Sequence, residues 1–90
     1  MKREDRVAVR DGVMFNRVGD EVVLLDLDSG TYYGLDAVGG RLWDLISGSA
    51  TIGEAIDTML EEYEVEREVL ESDVLRLVDE LHEKGLISIS

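Results

Sequence analysis

The chain has 90 residues with no cysteine, no proline and one histidine, and its 21 acidic residues against nine basic residues give a net charge of −12. A domain of this size buries one modest core, so we expect binding at the surface or along a sheet edge rather than in a large internal cavity. The lack of cysteine excludes disulfides and thiolate zinc sites, and the acid excess disfavours nucleic acid, whose binding rests on Lys and Arg.

The N-terminal segment MKREDRVAVR is charged and has no apolar run behind it. No apolar run elsewhere approaches the roughly 20 residues of a membrane span. We therefore expect no membrane partner and a location in the cytoplasm.

Turn signals divide the first 35 residues into short β-rich segments. The signals combine Gly and Asp, which tolerate positive φ: Asp11-Gly12, Gly19-Asp20 and Asp28-Ser29-Gly30. The pattern predicts an antiparallel meander of three or four strands, the last running from Thr31 to Leu35. Because side chains alternate along a strand, one of Tyr32 and Tyr33 should face the core and the other should be more open. Tyrosines are also common in ordinary strands.

The apolar spacing becomes helical near residue 36. A first helix is predicted to begin after Asp36, which can serve as its N-cap, and to end at Gly48 in a left-handed stop. Gly39 and Gly40 weaken this helix by about 1 kcal/mol each relative to alanine, so either a neighbour packs very close there or the first turn is loose. Trp43, the only tryptophan, should bury most of its surface against the sheet.

Two further helices are predicted. Residues Thr51 to Glu54 have the S/T-x-x-E form of a capping box, and apolar residues recur behind it at helical spacing: Ile52, Ala55, Ile56, Met59, Leu60 and Tyr63. A third helix is predicted over residues 66–84, with a core stripe centred on three leucines: Leu70, Leu77 and Leu81. The segment LISI then predicts a short closing strand or wing.

The last strand of the predicted meander is a sheet edge, because the chain leaves it for a helix. No lysine, proline or bulge signal blunts this edge, which favours a partner that adds a further strand, the β-augmentation mode of peptide recognition. On the third helix, Val69, Asp73 and Arg76 lie on one flank of the core stripe, and Leu75 lies on the other. If the helix lies against the strand, we expect the flank with Val69, Asp73 and Arg76 to form one wall of a groove.

The residues offer no recognisable catalytic group. His82 is the only histidine, and nothing in the spacing supplies it with a placed serine and an orienting acid, so we expect it on the solvent side of the third helix. The acidic residues form no calcium-loop pattern, and Gly34, Gly39 and Gly40 form neither a dinucleotide fingerprint nor a phosphate loop. The sequence predicts no enzyme activity, no metal site and no cofactor.

Four segments between about residues 22 and 87 carry a family resemblance: LLDLDSGTYYGLD, the tryptophan followed by DLISG, the helix opening TIGEAI, and DVLRLVDELHEKGLI. As a set in this order, they resemble the PqqD-like domains, the leader-recognition elements of ribosomally made, modified peptides. They are most similar to the stand-alone leader-binding proteins of lasso-peptide clusters. Asp36 departs from the asparagine of many relatives, but both residues cap helices.

The resemblance implies an α+β, winged-helix-like fold over residues 1–90, in which an N-terminal three-stranded antiparallel sheet, with a possible fourth short strand, packs on three helices. It also implies that a leader adds as an antiparallel strand to the last strand of the sheet and inserts apolar side chains between that strand and the third helix. Arg76 or Arg41 is available for a leader carboxylate. The edge and the resemblance together place ten residues at the leader: Thr31, Tyr32, Tyr33, Gly34, Leu35, Val69, Asp73, Val74, Arg76 and Leu77.

The function expected from the resemblance is a non-catalytic adaptor that presents the leader of a precursor to a separate leader peptidase and a cyclase. A carrier of the pyrroloquinoline quinone precursor is the alternative within the same family. A winged-helix DNA-binding regulator would share the outline of strands and helices, but the net charge of −12 argues against it.

Overall fold

Five strands and three helices follow one another along the residues described by the computed structural model, 2–48 and 50–90. In chain order they are β1 (Val7–Val9), β2 (Val13–Val18), β3 (Glu21–Asp26), β4 (Thr31–Leu35), α1 (Ala37–Ser47), α2 (Ile52–Glu62), α3 (Arg67–Glu83) and β5 (Ile87–Ile89). The expected α+β class, with a three-stranded antiparallel sheet and three helices, is confirmed.

The three-stranded sheet is an antiparallel meander in the order β2-β3-β4. A two-residue turn containing Gly19 (φ 64°) joins β2 to β3, and a four-residue loop ending at Gly30 (φ 71°) joins β3 to β4. The Gly30 N–H donates to the carbonyl of Asp26 across that loop at 2.7 Å. Positive φ at these positions is what glycine provides at low cost, so the turn signals of the sequence act as expected.

The first strand does not join the meander, which corrects the four-strand alternative. β1 instead pairs antiparallel with β5, so that Val7 lies opposite Ile89 and Val9 lies opposite Ile87. A turn at Gly12 (φ 84°) separates β1 from β2. The closing strand predicted from LISI exists, and its partner comes from the other end of the chain.

The helix caps follow the sequence except at one position. Asp36 accepts the N–H of Gly39 at 2.8 Å, and the capping box between Thr51 and Glu54 forms in both directions. Gly48, however, has φ −89°, so the predicted left-handed stop of α1 is wrong. Its N–H donates to the carbonyl of Asp44 at 3.2 Å. A Cβ at Gly48 would lie 3.0 Å from that same oxygen, so glycine serves close approach here rather than positive φ.

The two glycines inside α1 mark close packing of the helix on the sheet. A Cβ at Gly40 would lie 3.1 Å from the backbone oxygen of Asp20 and 3.1 Å from the Cγ2 atom of Val22. Both Gly39 and Gly40 are buried. Of the two explanations for the glycine pair, close approach of a neighbour is therefore the correct one.

One hydrophobic core joins the sheet, the three helices and the β1–β5 pair. Trp43 is fully buried, as expected, and Phe15 on β2 packs edge-on against it with ring centroids 5.6 Å apart. Seventeen apolar residues form the core: Val7, Val22, Leu24, Leu35, Leu42, Trp43, Ile46, Ile52, Ala55, Ile56, Met59, Leu70, Val74, Val78, Leu81, Leu86 and Ile87.

Candidate functional site

A hollow of about 440 Å³ lies between β4 and α3 and extends to the first turns of α1. The residues that line it are Tyr33, Gly34, Leu35, Asp36, Val38, Gly39, Leu42, Met59, Leu70, Asp73, Val74, Arg76, Leu77 and Glu80. Its volume falls within the range of about 300–1,000 Å³ that is usual for ligand sites in proteins.

The hollow has an apolar floor and a polar rim. Leu35, Leu42, Met59, Leu70 and Val74 are buried and form the floor. An apolar side chain that enters the hollow from its open side would move out of water and contact this floor. Burial of apolar surface is worth about 25 cal/mol per Å², so the floor can stabilise an apolar side chain from a partner.

Charged side chains surround this floor, and acids outnumber bases. Asp36, Asp73 and Glu80 supply three carboxylates, and Arg76 supplies one guanidinium. Arg76 pairs with Asp73 at 3.2 Å from Nη2 to Oδ1, and both side chains are exposed. An exposed pair of this kind contributes little to stability, so Arg76 can exchange its partner for a ligand group at low cost.

β4 lies at the edge of the sheet, next to this hollow. Among the described residues it pairs with β3 on one side and with no strand on the other. The N–H of Leu27 donates to the carbonyl of Gly12 at 2.8 Å, which sets the alternation of hydrogen-bonded pairs between β2 and β3. Carried across β3 to β4, the same alternation directs the N–H and C=O groups of Tyr32 and Gly34 away from the sheet. These two residues can pair with an added strand.

Tyr33 connects β4 to α3 at one end of the hollow. Its side chain is half-buried, and its hydroxyl donates to the Oε2 atom of Glu80 at 2.6 Å. This hydrogen bond, together with burial and the negative charge of Glu80, raises the pKa of Tyr33 to about 12. The Nζ atom of Lys84 lies 5.6 Å from the centre of the Tyr33 ring. Tyr33 therefore stays neutral at physiological pH and holds the strand against the helix.

Tyr32 points the other way. It is 71% exposed and lies on the outer face of the sheet, in register with Leu25 on β3 and Met14 on β2. One tyrosine thus faces inward and the other outward, as the alternation predicts. Tyr33 is the tyrosine that both joins β4 to α3 and lines the hollow.

Most of the predicted site residues come together at the hollow, but three do not line it. Thr31 and Tyr32 belong to the edge strand without facing the hollow, and Val69 is 53% exposed and outside the lining. On α3, the flank of Asp73 and Arg76 faces the hollow, whereas Leu75 does not.

Arg41 lies away from the hollow, although the sequence offered it as a group for a leader carboxylate. It forms a two-pronged pair with Glu62 on α2, with donor–acceptor distances of 2.8 Å and 2.6 Å. Arg41 thereby lowers the pKa of the Glu62 carboxyl. Arg76 remains the guanidinium of the hollow.

The first turns of α1 and the middle of α2 contribute residues that the sequence did not single out. Val38 lines the hollow and is still 44% exposed, and Met59 reaches the floor from α2. Val38 could have been found, because β4 passes through Asp36 directly into α1 and brings the start of that helix beside the edge strand. Met59 carries no comparable local signal.

Residues 2–48 and 50–90 contain no group of three or more His, Cys, Asp or Glu side chains arranged to hold a metal ion. None of the helices formed by these residues is long and apolar enough to cross a membrane. His82 is exposed in the last turn of α3, as expected.

The chain is similar to known proteins over most of its length. The family described as coenzyme PQQ synthesis protein D (PqqD) matches residues 21–87. The solved structure of TbiB1 in complex with the TbiA(beta) leader peptide is 40% identical, covers 90% of this chain and 94% of that chain, and has a TM-score of 0.86. A lasso peptide synthetase B1 complexed with the leader peptide is 28% identical, covers 94% and 98%, and has a TM-score of 0.82. No curated protein matches significantly.

Proposed function

The chain belongs to the PqqD family, and we propose that it is a non-catalytic adaptor that binds the leader of a ribosomally made precursor peptide as an added strand on β4. The observation that carries the proposal is the open edge of β4 beside an apolar hollow. The similar solved structures, both leader-peptide complexes, support the same function.

Backbone pairing and side-chain burial have separate roles in this proposal. The leader forms an antiparallel ladder with the outward N–H and C=O groups of Tyr32 and Gly34, which any peptide sequence can do. Because side chains of a strand alternate, every second leader residue faces the hollow. Apolar residues at those positions are buried between Leu35, Val74 and Leu77. The ladder contributes affinity, and the hollow selects the sequence.

The remaining residues predicted from the sequence keep their places in the proposal. Thr31 extends the ladder at the start of β4, and Asp73 and Arg76 meet charged groups of the leader at the rim. Val69 is placed one turn before Asp73, where it contacts a leader that runs past the hollow along α3.

Charge attraction is a minor source of affinity here. The rim has more carboxylates than bases, and the whole chain carries −12, so acidic leaders gain nothing from long-range attraction. A strand ladder with a few buried side chains gives about −8 to −12 kcal/mol, or micromolar to nanomolar binding, after the ordering of a disordered leader is subtracted. We expect this binding to change little with salt.

The proposal also includes the partners of the loaded adaptor. A bound leader is held at the sheet edge while the rest of the precursor extends away, so a separate leader peptidase and a cyclase can act on it in the cytoplasm. The similarity to a lasso peptide synthetase B1 supports this branch. The description of the matching family supports the alternative, a carrier of the pyrroloquinoline quinone precursor.

Titration calorimetry with three ligands tests these functions on one sample. The ligands are the TbiA(beta) leader of the similar complex, a pyrroloquinoline quinone precursor peptide, and random-sequence duplex DNA at low salt, with a scrambled leader as the control. We expect saturable binding of a lasso-type leader and none of a scrambled leader. Preference for the quinone precursor would favour the alternative, and tight, salt-sensitive DNA binding without leader binding would contradict the proposal.

A further inference from the structure

β2 is the second open edge of the sheet, opposite β4. Its sequence VMFNRV contains no lysine, proline or acidic residue of the kinds that commonly protect an edge strand from pairing, and its one charged side chain, Arg17, is held by Asp44 on α1. Met14, Phe15 and Val18 are each more than half exposed. An edge of this kind is suited to pair with another strand.

The backbone groups available on β2 follow from the alternation already described. The bond between Leu27 and Gly12 leaves the N–H and C=O groups of Phe15 and Arg17 pointing away from β3. Val13 points outward too, but its N–H already donates to the carbonyl of Arg10 at 3.2 Å. Phe15 and Arg17 are therefore the two residues of β2 that can form a complete ladder with a new strand.

We propose that β2 pairs antiparallel with β2 of a second copy of this chain, around a two-fold axis at Asn16. In this register Phe15 of each copy lies opposite Arg17 of the other, and the two residue pairs exchange four backbone hydrogen bonds. On the outer face, Met14 of each copy lies opposite Val18 of the other. On the inner face, each phenyl ring lies beside the aliphatic stem of Arg17 of the other copy, while the Arg17 guanidinium keeps its ion pair with Asp44 of its own chain.

The strand that pairs with β2 is assigned to a second copy because β2 is complementary to itself. The central five residues of β2 match their own reverse in this register: apolar with apolar, ring with the aliphatic stem of arginine, and amide with amide at Asn16. The pairing also keeps the inner face of one sheet continuous with the inner face of the other, because residues of the same parity meet. The result is a six-stranded sheet with a β4 edge at each end, so the edges proposed for leader binding stay open.

The net charge of the chain predicts how salt affects this pairing. β2 itself contains no acid, and its one base, Arg17, pairs with Asp44 on α1. Each copy nevertheless carries −12, and long-range repulsion opposes association. Because salt screens that repulsion over about 10 Å at 0.1 M, added salt strengthens the dimer. Contacts between two such strands fall below about 1,200 Å², in the range of weak complexes.

Analytical ultracentrifugation of the full chain tests the pairing, at concentrations from about 10 µM to about 1 mM and at low and high salt. We expect the average mass to rise from that of the 10.0 kDa chain toward twice that value, at lower concentrations when salt is added. Val18→Lys places two cations opposite the Met14 side chains and should weaken the dimer at least tenfold. Val69→Lys, an exposed valine on α3, is the matched control and should not change it.

Arg17→Pro removes an outward amide and should also give a monomer, with circular dichroism to show that it folds. If Arg17→Pro fails to fold, Val18→Lys decides alone. A chain that remains monomeric across the whole range, or a dimer that Val18→Lys leaves unchanged, overturns the proposal.

Discussion

The two edges of the sheet, β4 and β2, offer the same backbone groups but lie over different surroundings. Beneath β4, a hollow opens toward α3 and has an apolar floor. On the inner face of β2, Phe15 packs edge-on against Trp43 while staying 52% exposed, and Arg17 pairs with Asp44. An open edge provides N–H and C=O groups for pairing, and we expect the side chains on its inner face to determine which strand pairs with it. The hollow beside β4 can accept side chains of a leader, whereas the side chains of β2 match those of a second copy in the proposed register.

The substitution with the largest expected effect, Trp43→Ala, removes a side chain that supports both edges of the sheet. Trp43 is fully buried beneath the sheet, and Trp43→Ala should cost ~3–5 kcal/mol of unfolding free energy, a large part of the stability of a small domain. Leader binding and self-pairing should then fail together. Thermal melts followed by circular dichroism measure the loss, and a variant that melts within a few degrees of the parent would contradict this packing.

A charge placed in the hollow should separate the two edges. Val38 lines the hollow while remaining partly exposed, and an acid in the first turn of α1 suits the helix dipole, so Val38→Asp should fold normally. We expect leader affinity to fall at least tenfold, because a carboxylate would be buried without a partner.

Val69→Asp is the comparison for Val38→Asp, because Val69 is exposed outside the lining of the hollow, where the leader is proposed to pass along α3, so we expect a smaller loss of affinity. Fluorescence polarisation with a labelled leader measures both variants, and ultracentrifugation should find self-pairing unchanged in each. A larger loss for Val69→Asp than for Val38→Asp would mean that the leader runs along α3 rather than into the hollow.

The rim of the hollow should tune binding at β4 without affecting β2. Arg76→Glu leaves only acids at the rim, so a leader with an acidic residue near the hollow should bind less tightly and one with a lysine there should bind more tightly. Each change should be under about fivefold, the scale of an exposed charge pair. Calorimetry at two salt concentrations measures both affinities. If Arg76→Glu changes the affinity of both peptides equally, Arg76 does not contact the leader.

The smallest expected effect concerns the Tyr33–Glu80 hydrogen bond. The pKa of Tyr33 is raised from 10.0 to about 12, so the folded state favours the neutral phenol. The resulting stabilisation is complete below pH 10 and is lost as the pH rises through about 12. Melts of the parent and of Tyr33→Phe should therefore converge as the pH rises through this window. If the difference in melting temperature between the two proteins stays the same across this pH range, the result would contradict the Tyr33–Glu80 hydrogen bond.

Local signals in the sequence predict much of this fold. The caps at Asp36 and Thr51 and the turns at Gly19 and Gly30 appear where expected, because each depends on a few neighbouring residues. The edge position of β4 follows from chain order alone.

The remaining features depend on contacts between distant parts of the chain. Pairing of β1 with β5 brings Val7 next to Ile89, and no local pattern encodes that choice. The sequence predicts positive φ at Gly48, but the structure favours glycine there because a Cβ would lie too close to the carbonyl oxygen of Asp44. Met59 reaches the hollow from α2 only because α2 packs behind α1 and α3, so its place in the site becomes visible only in three dimensions.

Leader binding to a pair of proline variants, one on each edge, tests the central claim most directly. Tyr32→Pro and Arg17→Pro each remove one outward N–H without touching the bonds to β3, which edge strands tolerate. With both variants folded by circular dichroism, Tyr32→Pro should weaken leader binding at least about tenfold, through the lost ladder bond and the obstructing ring, and Arg17→Pro should bind as the parent does. Loss of binding in Arg17→Pro with normal binding in Tyr32→Pro would place the leader on β2 and contradict the account.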